Sequence, residues 1–384
     1  MIDLRQRRGA RTTVAIFFFL SGAAGLIYEI VWMRQLTLLF GSTIFAVSAV
    51  LTAFMGGLAL GSFLFGKLAG RMSNPLLTYG LLEVGIGLYA LLLPVILEVL
   101  TPFYRLVAQG FSPSFYLFSL LRFSLATGIL LIPTILMGGT LPVISQWYTQ
   151  TVKGIGFGVG RLYAFNTFGA VLGVVGAGFF FLPWWGMEGT TYIAVLLNLT
   201  IGIVLIGLFK ILERGREVPE NHEEALSTGP SSPQTAPIGA FVLLVLIAYG
   251  LSGFAAMAYE VAWTRVLVLI LGSSTYAFTL MLATFLIGLA LGSYLISRVV
   301  DRLRSPLAIF GLLEIAVGIT ALVGEKKLKV YLSKSLTSLL HCFIALHAAS
   351  TIFSIGREYV SIVNMNLSSI PSIVISPGFE TSRQ

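Results

Sequence analysis

The stretch LSGAAGLIYEIVWMRQLTLLFGS at residues 20–42 returns in the same chain as LSGFAAMAYEVAWTRVLVLILGS at residues 251–273. The match continues without a gap, so that residues 20–93 align with residues 251–324 at an offset of 231, with 32 of 74 positions identical. Two unrelated apolar segments would share leucine and valine, but here polar and aromatic residues recur. They are Tyr28/Tyr259, Glu29/Glu260, Trp32/Trp263, Arg34/Arg265, Pro75/Pro306 and Glu83/Glu314. We therefore predict two copies of one structural unit.

The composition places these copies in a membrane. The chain is 57% hydrophobic and only 10% charged, with a mean hydropathy of +0.93, whereas a soluble domain is roughly a quarter charged. The apolar runs are continuous rather than alternating, which favours helices over a barrel. We predict an all-α, polytopic helix bundle with spans near 13–33, 43–65, 76–97, 119–141, 162–183, 190–211, 239–262, 274–296 and 307–324, and a weaker candidate at 335–355.

Lysine and arginine predict the orientation. With the N-terminus inside, the inner segments carry fourteen of these residues and the outer segments four, the remaining six lying beyond residue 324. This positive-inside bias predicts an inner (plasma) membrane protein with a cytoplasmic N-terminus. The net charge of +8 is then explained by loops that face anionic lipid, and no nucleic-acid partner is needed.

The chain divides into four parts. Residues 1–212 form the first six-helix half, and residues 213–238, which are rich in Pro, Ser and Glu, form a cytoplasmic linker. Residues 239–324 begin a second, parallel half with three helices. The match to the first copy stops at Gly324, and the serine-rich residues 325–384 diverge. The second half is therefore incomplete, and we expect either a loss of reading frame near codon 324 or a genuinely divergent terminus.

The repeated motif Tyr-Glu-x-x-Trp-x-Arg carries the candidate binding residues. A charged side chain near mid-bilayer costs at least about 2.5–3.5 kcal/mol, so the glutamate should face the protein interior or water. One interpretation is a binding site for a cationic or proton-coupled solute, and the other is a structural belt at the outer interface. The candidate substrate-binding residues are Tyr28, Glu29, Trp32, Arg34, Tyr259, Glu260, Trp263 and Arg265.

A second pair of glutamates lies among small residues. Glu83 is three residues after Gly80 and four before Gly87, and Glu314 has the same neighbours in the second copy. Small residues on one face permit close helix approach, so both glutamates should lie in helix–helix seams. A structural hydrogen bond and a role in proton or substrate handling both remain open.

Other motifs point to structure rather than chemistry. Gly57-x-x-x-Gly61 and Gly169-x-x-x-Gly173 predict packing ridges, and Met137–Pro142 (MGGTLP) is expected to end a membrane helix. The glycines of 154–160 (GIGFGVG) follow no strand, which argues against a dinucleotide site. No catalytic triad, P-loop or metal-ligand spacing is present, so we predict no catalytic residue, no metal and no cofactor.

Four motifs resemble the membrane portion of bacterial spermidine-synthase-like fusion proteins. They are LSGAAGLIYEIVWMRQL (20–36), FMGGLALGSFLFGKLAGR (54–71), LMGGTLP (136–142) and GRLYAFNTFGAVLG (160–173). In that family a major-facilitator-like membrane region precedes a soluble aminopropyltransferase-type domain. The glycine-rich loop and acidic residues of that domain are absent here, so we expect no aminopropyl transfer by this chain.

The resemblance leaves three functions open. The first is a membrane module that anchors a polyamine-type synthase or moves its small amine substrate or product across the membrane. The second is a freestanding secondary transporter of a small solute. The third is an inert fragment. The expected partners are the lipid bilayer and, under the first function, a small cationic amine and a soluble synthase domain.

Overall fold

The computed structural model describes residues 4–41, 43–110, 115–149, 155–214, 240–299 and 306–330. The secondary structure within these ranges is helical, as predicted. The elements are α1 (Leu4–Phe40), α2 (Ile44–Ala69), α3 (Pro75–Gly110), α4 (Phe115–Thr149), α5 (Ile155–Val175), a π-helical segment (Gly176–Phe181), α6 (Leu182–Arg214), α7 (Ala240–Leu271), α8 (Ser274–Val299) and α9 (Pro306–Val330).

Seven apolar helical stretches in the described residues are long enough to cross a bilayer. The prediction of a multi-pass helical membrane protein is therefore confirmed. One stretch, Gly160–Lys210, has 51 residues and would be about 75 Å long if straight, against about 30 Å for the hydrocarbon core. Its backbone leaves helical geometry at Gly186 (φ 66°, ψ −169°). The predicted spans 162–183 and 190–211 therefore lie on either side of a break in helical geometry at Gly186.

Two glycine turns occupy the same position in the two copies. Gly41 (φ 90°) joins α1 to α2, and Gly272 (φ 68°), 231 residues later, joins α7 to α8. A left-handed φ is strained for residues with a Cβ atom, so glycine suits both turns. In the first turn the hydroxyl of Thr43 accepts a hydrogen bond from the amide of Ala46 (3.2 Å) and caps α2.

Glycines also allow close approach of helices. A Cβ atom on Gly61 would lie 2.1 Å from the carbonyl oxygen of Ile135, and one on Gly169 would lie 1.8 Å from that of Phe19. These contacts join α2 to α4 and α1 to α5. The predicted packing function of both small-residue motifs agrees with this geometry.

The expectation that Met137–Pro142 ends a helix is wrong. Helix α4 continues through Pro142 to Thr149. At this point α4 packs closely on α2, since a Cβ on Gly138 would lie 2.1 Å from the carbonyl oxygen of Leu58. Contacts between helices override the local preference of Gly and Pro to end a helix.

Helix α5 packs against helices from both sequence copies. It packs along α1 and along α8, and α7 in turn packs along α8. The largest buried side chains belong to α1 and its neighbours, among them Trp32, Tyr28 and Phe18. Large apolar side chains such as Leu92, Leu196 and Leu269 are exposed, as expected for surfaces in contact with lipid.

Some predictions fall outside the described residues. They include the candidate span at 335–355 and most of the linker at 213–238. Helix α9 continues through Val330, past Gly324, at which the sequence match ends. Its apolar part, Ala308–Ala321, is shorter than the seven spans.

Candidate functional site

Glu29 and Glu260 line one cavity, although they are far apart in sequence. This glutamate cavity has a volume of about 430 Å³ and lies between α1, α2, α5, α7 and α8. The two residues occupy the same position in the two sequence copies. The fold therefore brings the repeated carboxyl groups together at the boundary between the copies.

Both carboxyl groups are deeply buried. Each residue is only 2% exposed. Glu29 Oε1 and both carboxyl oxygens of Glu260 have no hydrogen-bond partner among the described residues. A buried polar group without a partner is costly, so these oxygens suit a ligand that donates hydrogen bonds.

The glutamates lie near the centre of their helices. Glu29 is about 5 Å from the midpoint of the span Arg11–Phe40, and Glu260 is at a similar distance in Leu243–Leu271, given 1.5 Å of rise per residue. If each span is centred in the bilayer, the two carboxyl groups lie near its middle.

The rest of the polar lining comes from α5 and α7. Helix α5 contributes Tyr163, Asn166 and Thr167, and α7 contributes Tyr249 and Ser252. Asn166 Nδ2 donates to the carbonyl oxygen of Phe18 (2.8 Å), which ties α5 to α1. The candidate residues named from the repeat do not include these five. Helix α5 has no counterpart in the second copy, so the repeat gives no signal for its residues.

The aromatic residues of the repeated motif lie elsewhere. Tyr28 and Trp32 are fully buried and stack on each other, with ring centroids 4.8 Å apart. Neither residue lines the glutamate cavity, and the same is true of Tyr259 and Trp263. These rings belong to the hydrophobic core, and a cation–π contact with a ligand in the glutamate cavity is not supported by their position.

The two arginines line a second cavity. This arginine cavity has a volume of about 590 Å³ and is lined by Arg34, Arg265, Thr264, Ser274 and Thr275, together with apolar side chains. Arg34 Nη1 donates to Thr275 Oγ1 (3.0 Å), a bond from α1 to α8. The repeated motif thus contributes to two separate cavities, with its glutamates in one and its arginines in the other.

Glu83 lies in a polar seam between α1, α3 and α6. Its side chain is fully buried. Its Oε1 accepts from Ser21 Oγ (2.5 Å), and its Oε2 accepts from Asn198 Nδ2 (2.7 Å). A Cβ on the flanking Gly87 would lie 3.0 Å from Leu199, so α3 and α6 approach closely here. Both carboxyl oxygens are already bonded within the protein.

Glu314, the counterpart of Glu83, is half-buried on α9. Asn198, which bonds to Glu83, lies beyond the part of the first copy that is repeated. A Cβ on either glycine that flanks Glu314, Gly311 or Gly318, would meet no described atom within 4 Å. The close approach found at Glu83 is therefore not seen at Glu314. Among the described residues, no group of three or more His, Cys, Asp and Glu side chains is arranged to hold a metal ion.

Comparison with known proteins found no family model that matches this chain and no match among curated proteins.

Proposed function

We propose that this multi-pass membrane protein binds a small organic amine in the glutamate cavity and moves it across the bilayer. The observation that carries the proposal is the pair of buried carboxyl groups, Glu29 and Glu260, which line one cavity near the middle of the membrane. Three of their four oxygens have no protein partner among the described residues.

The chemistry of the cavity favours a cation. Two ionised carboxylates in a medium of low dielectric repel each other, and an ammonium group offsets this repulsion while it donates hydrogen bonds to the free oxygens. The hydroxyl of Tyr249 and the side chain of Thr167 provide further polar groups at the wall. The remaining lining is mostly apolar, including Leu26, Met257 and Phe285, and suits the methylene chain of an amine.

The resemblance to the membrane portion of spermidine-synthase-like fusion proteins also favours an amine. That resemblance is compatible with anchoring a synthase as well as with movement of its substrate or product. An anchor needs only an apolar surface, whereas a buried polar cavity is costly to form. The cavity therefore favours movement of the amine. A freestanding transporter would have the same cavity, and uptake of spermidine by liposomes that contain only this chain would show that the movement needs no synthase domain.

Charge-neutral variants of the two glutamates test the proposal. We expect Glu29→Gln and Glu260→Gln each to weaken spermidine binding by about 10–100-fold, because each loses a charged hydrogen bond of about 1.5–3 kcal/mol. Binding is measured by isothermal titration on the purified full chain in nanodiscs. Glu83→Gln is the matched control, because Glu83 is a buried glutamate outside the cavity, and it should leave spermidine affinity unchanged.

The control separates binding from folding. Each variant is first shown to be monodisperse with the helical circular dichroism of the unsubstituted chain. Unchanged spermidine affinity in both cavity variants, or no spermidine binding by the unsubstituted chain, would contradict the proposal. Equal loss in Glu83→Gln would show that the effect is on folding rather than on the cavity.

A further inference from the structure

The charged side chains that line the arginine cavity are basic, whereas those that line the glutamate cavity are acidic. Arg34 and Arg265 come from equivalent positions in the two copies, and both line it. No Asp or Glu side chain occurs among its lining residues in the described part of the chain. Arg34 is exposed and Arg265 is half-buried at this cavity, and an anion held between two like charges reduces their repulsion.

Hydrogen-bond donors surround the arginines. A guanidinium group has five N–H donors, and the bond from Arg34 Nη1 to Thr275 Oγ1 (3.0 Å) uses one of those of Arg34. Ser274 adds a hydroxyl group to the wall, whereas the hydroxyl of Thr264 already donates to the carbonyl oxygen of Glu260 (2.8 Å). These groups, together with the fixed geometry of a guanidinium group, match the oxygens of a carboxylate or phosphate.

The start of α8 adds a further favourable field. Ser274 and Thr275 are the first two residues of α8, and both line the arginine cavity. The first amide N–H groups of a helix have no partner within the helix, and its positive dipole end attracts anions. Two arginines and a helix N-terminus therefore act on the same space.

The cavity lies near the boundary of the hydrocarbon core. Arg34 and Arg265 are about 12–13 Å from the midpoints of their spans, from the rise per residue, and half of the hydrocarbon core is about 15 Å thick. At that depth both free anions in water and phospholipid headgroups can reach the arginines.

We propose that the arginine cavity is an anion site that binds a phosphate or carboxylate group. The group belongs either to a small anion from solution or to the headgroup of a lipid, since both present the same oxygens. This proposal does not depend on amine binding in the glutamate cavity, and its test uses a different ligand.

Inorganic phosphate is the probe for a free anion. Binding is measured by isothermal titration on the full chain in nanodiscs of phosphatidylcholine, which has no net charge. We expect the unsubstituted chain to bind phosphate, and Arg34→Gln and Arg265→Gln each to weaken it by about tenfold or more, as for loss of a charged hydrogen bond. Arg122→Gln is the matched control, because Arg122 bonds to Tyr104 Oη (3.1 Å) and does not line the cavity.

Native mass spectrometry tests the lipid source. If the site takes a headgroup, phosphatidylglycerol should remain bound to the unsubstituted chain and to Arg122→Gln, and be lost from Arg34→Gln and Arg265→Gln. Phosphate binding in neutral nanodiscs supports a free anion, and retained phosphatidylglycerol supports a lipid. Either result supports the site.

Lysine variants separate binding from folding. Arg34→Lys and Arg265→Lys keep the charge and should retain measurable binding where the glutamine variants lose it. The proposal is overturned if the unsubstituted chain binds neither phosphate nor phosphatidylglycerol. It is also overturned if the lysine, glutamine and Arg122→Gln variants all bind like the unsubstituted chain, in which case the arginines only anchor the helix ends.

Discussion

Three buried glutamates differ in what surrounds their carboxyl groups. Glu83 has each oxygen bonded, one to Ser21 and one to Asn198. Glu29 and Glu260 face a cavity, with oxygens that lack partners among the described residues. A carboxyl group whose two oxygens both accept hydrogen bonds from neighbouring helices holds those helices together. A carboxyl group whose oxygens lack such partners is available to a ligand. The same residue type therefore has a structural role in one place and a proposed binding role in the other.

Removal of a donor to Glu83 should lower stability. We expect Asn198→Ala to reduce the free energy of unfolding by about 1–2 kcal/mol, because Glu83 Oε2 then stays buried without its partner. The measurement is thermal unfolding in detergent. Thr200→Ala, an exposed site on the same helix, is the control and should change stability little. Equal melting temperatures of the two variants would show that the hydrogen bond from Asn198 to Glu83 does not contribute to stability.

At the scale of helices, glycine decides which elements pack together. Gly169 places α5 against the backbone of α1, and Gly138 places α4 against that of α2. Without a hydrophobic effect between helices in lipid, close packing and interhelical hydrogen bonds supply the attraction. Helix α5 then extends this packing to α8, which brings α7 and its glutamate to the cavity.

Two glycine-to-alanine changes should act in opposite directions. Gly169→Ala places a Cβ 1.8 Å from the carbonyl oxygen of Phe19, and overpacking of this kind costs about 1–3 kcal/mol. Gly128→Ala meets nothing within 4 Å and should be neutral or stabilise by up to about 1 kcal/mol, because alanine favours helix. Thermal unfolding measures both, and no loss of stability in Gly169→Ala would contradict the close approach of α1 and α5.

At the scale of the whole molecule, two cavities of opposite charge lie along the same pair of helices. Arg34 follows Glu29 by five residues, and Arg265 follows Glu260 by the same spacing, which is about 7.5 Å along each helix. A solute that reached the glutamates from the arginine end would therefore first meet positive charge. Under the predicted orientation this is the outer end, so the proposed amine would be expected to enter from the cytoplasmic end.

Cysteine labelling tests that orientation. In a Cys342→Ser background, which removes the single cysteine, we expect Ser112→Cys to react with a membrane-impermeant maleimide on intact cells and Ser231→Cys to react only after lysis. Both positions lie outside the described residues. The reason is the excess of lysine and arginine in the segments predicted to face the cytoplasm. The reverse pattern of labelling would invert the topology.

The sequence by itself determined the class of protein and the residues that recur. Apolar runs of sufficient length require helices in a bilayer, and the gapless match singled out Glu29 and Glu260. Close helix packing around Gly61 and Gly169 could also be predicted, because small residues at helical spacing indicate close approach of helices. These are properties of local composition and period, which a single chain displays without knowledge of its neighbours.

Only the tertiary structure decided which of those residues meet. It placed the paired glutamates in one cavity and the paired arginines in another, and it moved Tyr28 and Trp32 into the core. In the tertiary structure α4 continues past Pro142, and Asn166 lines the glutamate cavity. Contacts between distant segments depend on how helices pack in three dimensions, and spacing along one helix does not encode that arrangement.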